Sequence, residues 1–584
     1  MSGGTETHTE QGTGTGAADL AAMVVEATRA NDGAALRFHD GDDWVDMSYA
    51  ELGDAAREIA GGLIELGIEP GERVAILSET RPEWTLADLG GILAAAQVVP
   101  IYQTASAEEA EHVLKDSEAR LVFCEDTDKL ATVREAAEGL GVDHIVLFEG
   151  EDDGAITLDE LRAKGRDRSS DVDERIDGIA PDDVFTLIYT SGTTGAPKGC
   201  VLTHANYRAN CEMLVDSIDL EDDEVIYIFL PLAHALTRIT QMATLDVGAT
   251  LAYWRGDQDK ALDDLREIKP TIFPSVPRIF EKIYEEARGK ADGAVKGKLL
   301  DRAIDVGAQV RALRRKGEEP GPLLGKEHEL ADKQILSEVR DLFGGNLRFA
   351  VTGAAPVDKT MLEFFDACGV LILEGYGATE TSAVATANRP DDFRFGTVGK
   401  APEGCEIKID DDTDDEGRGE ILIKGPHIFQ GYHGLEEETS ESFDGEWFKT
   451  GDLGRIDDDG FLTIAGRTKE IIVTSSGKNI TPTNIEEKLA QHSSVSQAVV
   501  YGDDRPYLVA LIETDGDAGE DEVQQAVDEA NGDLAKIEQV KKFHILDREL
   551  SQDEGELTPT LKLKRPVVYE NWQEEIDALY DDEE

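Results

Sequence analysis

Short apolar runs recur along this chain, and several lead into segments of helical periodicity. They are Val74–Leu77, Leu121–Cys124, His144–Phe148, Val184–Tyr189, Val225–Leu230, Thr250–Tyr253, Thr271–Phe273, Leu347–Thr352 and Val370–Leu373. Strand-like runs alternating with helices predict α/β layers built on largely parallel sheets. Ser48 opens one such helix with the capping-box pair Ser48 and Glu51, after which Leu52, Ala55, Ile59, Leu63 and Leu66 share a face until Gly67 stops it. No period of solenoid or propeller length is visible.

At 584 residues the chain exceeds what one core serves, and the texture divides it. Residues 1–18 are a Gly/Thr-rich polar leader, expected to be disordered. Residues 19–466 read as a large ligand-binding domain with a helical insertion at about 282–341, rich in Lys, Arg, Glu and Leu. Residues 467–584 read as a small separate domain.

The chain has 122 acidic against 57 basic residues, a formal charge of -65, which argues against nucleic acid as a partner. Because the acidic residues interleave with apolar pattern throughout, they predict a solvated surface adapted to high salt. Molar salt shortens the Debye length to about 3 Å and screens the self-repulsion. Cys124, Cys200, Cys211, Cys368 and Cys405 lack CxxC spacing, which fits a reducing cytoplasm. The most apolar stretch, Leu89–Tyr102, is too short to span a bilayer and contains Gln97 and Pro100, so no integral membrane segment is expected. Peripheral membrane contact and oligomeric state stay open at this stage.

One loop carries chemistry of its own. Tyr189–Gly199 reads YTSGTTGAPKG and is expected to follow a strand and precede a helix starting near Thr203. Gly192 and Gly195 let backbone amides turn toward an anion, Ser191, Thr193 and Thr194 add hydroxyls, and Lys198 adds charge. Such a nest suits polyphosphate, although the Walker spacing GxxxxGK[ST] is absent. A flexible linker would rarely sit behind a buried strand and carry Pro197 and Lys198.

Further motifs follow in order: LPLAH at Leu230–His234, GAAP at Gly353–Pro356, GYGATET at Gly375–Thr381, WFKTGD at Trp447–Asp452, GRTKE at Gly466–Glu470 and TPTLKLKR at Thr558–Arg565. Gly375 and Gly377 permit a tight turn, Tyr376 offers a flat ring and Glu380 a hard carboxylate. Asp452, with two acceptor oxygens, suits ribose hydroxyls. From Tyr189 to Arg565 the series resembles the AMP-forming acyl-CoA synthetase superfamily.

That resemblance implies the acyl-CoA synthetase/luciferase-like fold, with a mobile α+β lid as the small domain, and ATP, Mg²⁺ and coenzyme A as cofactors and co-substrates. It implies that Tyr376 stacks on adenine beside Gly353, Ala354 and Ala355, that Thr379 contacts the α-phosphate, and that Glu380, with Thr190, helps hold Mg²⁺. His234 would orient the acyl carboxylate, with Arg238 a weaker candidate. Lys562 would stabilise charge as the carboxylate attacks the α-phosphate; its neighbour Leu561 stands where many relatives have Gly. Arg467 would reach ribose or phosphate, Lys469 would mark the hinge, and Ser475–Pro482, with Gly477, would line the thiol path.

Thr271–Tyr284 (TIFPSVPRIFEKIY), the insertion after it, SSGKNI and TPTLKLKR resemble long-chain fatty-acyl-CoA ligases in particular. Val276, Pro277 and Arg278 would then shape an acyl channel, although an ordinary helix start explains them nearly as well. The implied reaction converts fatty acid, ATP and coenzyme A to acyl-CoA, AMP and diphosphate through an acyl-adenylate. A CoA ligase for an aryl or shorter acid and a non-catalytic adenylate binder are the alternatives.

Overall fold

The computed structural model describes residues 14–580 apart from positions 42, 191–196, 258, 259, 290–293, 354, 356, 411, 412, 414–416, 476, 477, 493, 515, 517, 533, 553 and 559–562. The capping box at Ser48 forms, and the helix Tyr49–Glu65 buries Leu52, Ala55, Ile59 and Leu63. Gly67 follows at φ 82°, a left-handed position that glycine adopts without steric cost. This helix shares one apolar core with Leu20–Ala30, Pro82–Leu93, His204–Ile218 and Ala235–Val247, and with strands of two different sheets.

Both of these sheets have eight strands. In the first, Thr386–Ala387, Ile372–Tyr376, Phe349–Thr352, Ile272–Ser275, Val225–Ile228, Thr250–Tyr253, Ala34–Asp40 and Asp43–Ser48 lie side by side. All pairs are parallel except the two at the edges. In the second, the parallel strands run Val184–Thr190, Gln97–Ile101, Arg73–Leu77, Leu121–Cys124, His144–Leu147 and Ile156–Thr157, and Lys198–Thr203 and Gly431–Tyr432 extend them antiparallel. The strand Gln97–Ile101 tolerates Pro100 because it pairs with Val184–Thr190 only at Val98. A five-stranded antiparallel sheet over 406–467 completes the large domain.

The insertion is helical, as its composition predicts: Pro277–Gly289, Ala294–Arg315, Pro322–Ala331 and Ser337–Leu342, with a π-helical stretch at Asp332–Leu336. The small domain packs helices Pro482–Ala490 and Glu520–Gly532 on the sheet Val495–Tyr501, Leu508–Thr514 and Val540–Ile545.

Residues 14–18, assigned to the leader from sequence, are held by the body of the large domain. Thr15 donates to Asp246 through its amide and its hydroxyl, at 3.0 and 2.6 Å, and Asp246 is ion-paired with Arg208 at 2.8 Å. All five cysteines are buried as free thiols.

Candidate active site

The strands Val184–Thr190, Phe349–Thr352 and Ile372–Tyr376 end at one cleft of about 2410 Å³, where open α/β sheets hold ligands. Thr190, Lys198, His234, Gly353, Ala355, Gly375, Tyr376, Gly377, Thr379, Glu380, Asp452, Arg467 and Lys469 all line it. Ser191, Gly192, Thr193, Thr194, Gly195, Ala354, Gly477 and Lys562 lie outside the described residues. The flanks of the lysine segment do not: Leu557 and Leu563 form an antiparallel bridge, and Thr558, Leu563 and Lys564 line the cleft.

The phosphate-type loop differs from expectation in its setting. It joins two antiparallel strands, with Thr190 opposite Lys198, and the helix His204–Ile218 begins only after the second strand. The helix His204–Ile218 therefore does not start directly from the loop. Positive charge there comes from Lys198, whose Nζ lies 5.2 Å from the centre of the Tyr432 ring.

Tyr432 went unnoticed in the sequence. Its hydroxyl donates to Glu380 Oε1 at 2.9 Å, the amide of Phe429 donates to the Glu380 carbonyl at 2.9 Å, and the amide of His433 donates to the Gly199 carbonyl at 2.8 Å. Residues 429–433 thus stitch the loop strand to the carboxylate. Burial, reinforced by the Glu380 charge, pushes the Tyr432 phenol well up, so it remains a donor.

Gly375 and Tyr376 continue a strand rather than turning, pairing with Ala387 and Thr386. Close approach comes at Gly377, where a Cβ would sit 1.8 Å from the Ala383 carbonyl oxygen. Tyr376 donates to Asp452 Oδ2 at 2.7 Å, and Arg467 Nε donates to Oδ1 at 2.9 Å. Burial and then the Asp452 charge hold the Tyr376 phenol protonated.

His234 follows the strand Val225–Ile228 at a remove and caps the helix Ala235–Val247, its Nδ1 accepting from the Leu236 amide at 3.3 Å. Arg238, offered from sequence as a substrate contact, is instead fully buried in the core. It forks onto Asp88 at 3.0 and 2.5 Å, donates to Thr186 at 2.6 Å, and stacks 4.9 Å from Phe185. Fully buried and ion-paired with Asp88, this guanidinium belongs to the core and not to the cleft.

A Cβ on Gly466 would meet Thr481 Cγ2 at 2.3 Å, so the end of the strand Leu462–Arg467 packs closely on the start of the helix Pro482–Ala490. The cleft also holds a buried carboxylate that sequence did not single out. Glu374, on the strand Ile372–Tyr376, is buried; burial above all, with a smaller effect of the Glu487 charge from the small domain, pushes its carboxyl up to about 7, against a hydrogen bond from the Gly396 amide.

Among the described residues no three His, Cys, Asp or Glu side chains converge to hold a metal. Glu380 and Thr190 supply one carboxylate and one hydroxyl, a donor set that fits Mg²⁺, which completes its shell with phosphate oxygens and water.

Two stacked α/β sheets, a third β-sheet and a small lid around one cleft define the adenylate-forming class of ligases. More particularly, the chain belongs to the AMP-binding enzyme family: residues 24–433 match that family and residues 469–584 match the AMP-binding enzyme C-terminal domain. It is 38% identical to long-chain-fatty-acid–CoA ligase FadD15 of Mycobacterium tuberculosis, over 97% of both chains. It is 31% identical to human long-chain-fatty-acid–CoA ligase 1, over 91% of this chain and 82% of that one. ATP-bound MatB from Rhodopseudomonas palustris superposes with a TM-score of 0.73 at 25% identity, covering 95% of this chain and 99% of that one. The adenylation domain of a carboxylate reductase from Mycobacterium chelonae shares the fold with a TM-score of 0.77 at 24% identity, over 98% and 92% of the two chains.

Proposed function

We propose that this protein is a long-chain fatty-acid–CoA ligase that forms acyl-CoA, AMP and diphosphate through an acyl-adenylate. The observation that carries the reading is the apolar extension of the cleft beyond His234, lined by Leu236, Ala243, Leu214, Ile218, Leu220 and Ile226. Thr240 and Thr244 also line it, and their hydroxyls turn back to the carbonyls of Leu236 and Thr240 at 2.8 and 2.6 Å, satisfied within the helix. From Leu236 to Thr244 the helix rises about 12 Å, a length matched by roughly ten methylenes when carbon–carbon bonds of about 1.5 Å are projected on the chain axis. An aryl or short acid would leave most of that lining uncovered. The names of the relatives support the same substrate class.

In the first step the fatty carboxylate attacks the α-phosphorus of ATP and diphosphate leaves. Tyr376 and Asp452 hold adenine and ribose beside Gly353 and Ala355, while the loop with Lys198 and Thr379 binds the phosphates. His234 orients the carboxylate, and Lys562 stabilises charge where the two anions meet, an effect worth roughly 10²–10³ in rate. Mg²⁺, held by Glu380 with Thr190, would neutralise phosphate charge when bound. In the second step the small domain turns about Lys469, the thiolate of coenzyme A reaches the acyl carbon along 475–482, and AMP leaves.

The acidic surface is read as an adaptation to molar salt. Buried free thiols support a reducing, cytoplasmic setting, and no helix among the described residues is long and apolar enough to cross a membrane. Pyrophosphate exchange and thioester formation across acids of graded length, in molar KCl, test the reading. Maximal rates with long-chain acids are expected; a maximum at acetate or benzoate rejects the substrate class, and no exchange with any acid rejects the ligase.

A further inference from the structure

Glu556 precedes the TPTLKLKR motif and has no exposure to water. A carboxylate persists in such a place only where donors replace the water it has lost. Here they reach both oxygens. Oε2 accepts from Arg548 Nη1 at 2.6 Å and from the Ser551 amide at 3.1 Å. Oε1 accepts from Arg548 Nη2 at 2.7 Å, Trp572 Nε1 at 3.0 Å and Asn571 Nδ2 at 3.2 Å. Burial by itself would raise the carboxyl; Arg548 and then Asn571, Ser551 and Trp572 outweigh it and hold the group down at about 2.

These donors bracket one stretch of chain. Arg548 and Ser551 come before Glu556, whereas Asn571 and Trp572 come at the end of the helix Arg565–Asn571. Trp572 is seated in an apolar cluster with Leu546, Leu550 and Val568, and the Arg548 guanidinium lies 5.0 Å from the centre of its ring. The backbone closes the same neck: the Lys564 amide donates to the Glu556 carbonyl at 2.7 Å, and Leu557 pairs with Leu563 in an antiparallel bridge. By sequence, Lys562 falls within the span so closed. Thr558, Leu563 and Lys564 line the cleft.

We propose that Glu556 is a positioning residue for the adenylation step, fixing both ends of the span that presents Lys562 to the reacting phosphate. The proposal rests on the assignment of charge stabilisation to Lys562. A lysine on a span with free ends would have to be ordered on the way to the transition state, against backbone and side-chain entropy, whereas a span pinned at its neck has most of that cost met on folding. The bonds of Glu556 run within 548–572 and tie no helix to the sheet of the small domain, which sets this carboxylate apart from a general support of the fold. A carboxamide cannot take its place. Both oxygens face only donors, so the NH2 of Gln would oppose a donor whichever way it sat.

Glu556→Gln, compared with the parent and with Lys562→Ala in molar KCl, tests this. Pyrophosphate exchange at saturating ATP should fall at least roughly tenfold, with the KM for ATP held within about twofold. Acyl transfer from a supplied acyl-adenylate to coenzyme A should stay within about twofold, since Lys562 has no part in that step. Glu556→Asp, which keeps the charge, should recover part of the exchange. Adding Glu556→Gln to Lys562→Ala should lower exchange by no more than about a further twofold, because nothing is left to position. Should Glu556→Gln fail to fold by circular dichroism and gel filtration, Arg548→Lys carries the same expectations, as it loses the fork at the partly exposed member of the pair. Unchanged exchange overturns the proposal, as does an equal loss in both half-reactions or full additivity in the double variant, which would make the clamp a plain support of the small domain. Exchange by Lys562→Ala as fast as the parent also overturns it, and that result alone faults the lysine assignment.

Discussion

Arg565 donates through Nε to Glu470 at 3.0 Å, fastening the helix that follows Lys562 to the turn Thr468–Glu470. Its two Nη groups fork onto Glu486 at 2.5 Å each, with both side chains largely withdrawn from water. Lysine cannot reproduce that planar fork. Arg565→Lys should therefore lower small-domain stability by about 2–4 kcal/mol, read by thermal melting in KCl. Single-turnover adenylate formation should fall roughly tenfold as the lysine segment loses its anchor. Unchanged values in both measurements would remove Arg565 from the positioning scheme.

Lys562→Ala separates the two half-reactions. Pyrophosphate exchange should drop at least roughly 10²-fold, while acyl transfer to coenzyme A from a supplied acyl-adenylate should persist within a few fold. Equal exchange by parent and variant would reassign the role, with Lys564, two positions on and at the cleft, the next residue to test.

Asp452 holds Tyr376 and Arg467 on its two oxygens, and a ribose diol would compete for those oxygens. Asp452→Asn should raise the KM for ATP about tenfold, the worth of one charged hydrogen bond, and should shrink the preference for ATP over 2′-deoxy-ATP. Preserved discrimination between the two nucleotides would move ribose recognition elsewhere.

Glu374 couples the cleft to pH, and through the charge of Glu487 it couples the seating of the small domain to pH as well. Its carboxyl is raised to about 7, chiefly by burial and in smaller part by the Glu487 charge, above the ordinary value near 4.3. A raised pKa means that the arrangement holding Glu374 buried is favoured while the group is protonated. The contribution is full below about pH 4 and is lost as pH rises through about 7. Protease cleavage in the hinge should therefore accelerate between about pH 6 and 8, and Glu374→Gln should flatten that profile. A parent rate independent of pH across the window would refute the link.

Salt should stabilise the whole chain. With 122 acidic against 57 basic residues, dilution from molar KCl lengthens the screening distance from about 3 Å to about 10 Å at 0.1 M. Melting temperature and activity should both fall steeply on dilution. Full stability without added KCl would show that the acidic surface serves another end.

Much of the architecture is legible because it is local. The strands Leu121–Cys124 and Thr250–Tyr253 occupy the residues their apolar runs indicate, and the Ser48 helix has its predicted cap. The strand Lys198–Thr203 was hidden, since KGCVLT runs directly into a helix and becomes a strand only through pairing with Val184–Thr190 and Gly431–Tyr432. Tyr432 and Glu374 carry no local signal either; what distinguishes them is the carboxylate that Tyr432 bonds and the burial of Glu374.

The sequence by itself determined the family, the order of motifs and the alternation of strand and helix, because periodicity and motif spacing are written along the chain. Tertiary structure alone decided which charged groups meet. Arg238 has the chemistry of a substrate ligand, and only the arrival of Asp88, 150 residues away, makes it part of the core. In the same way the strand Lys198–Thr203 that follows the loop is placed inside the sheet by its second partner, Gly431–Tyr432, which is distant in the chain. Burial and ion pairing depend on neighbours in space, and in a fold built from long-range crossovers those neighbours are seldom neighbours in sequence.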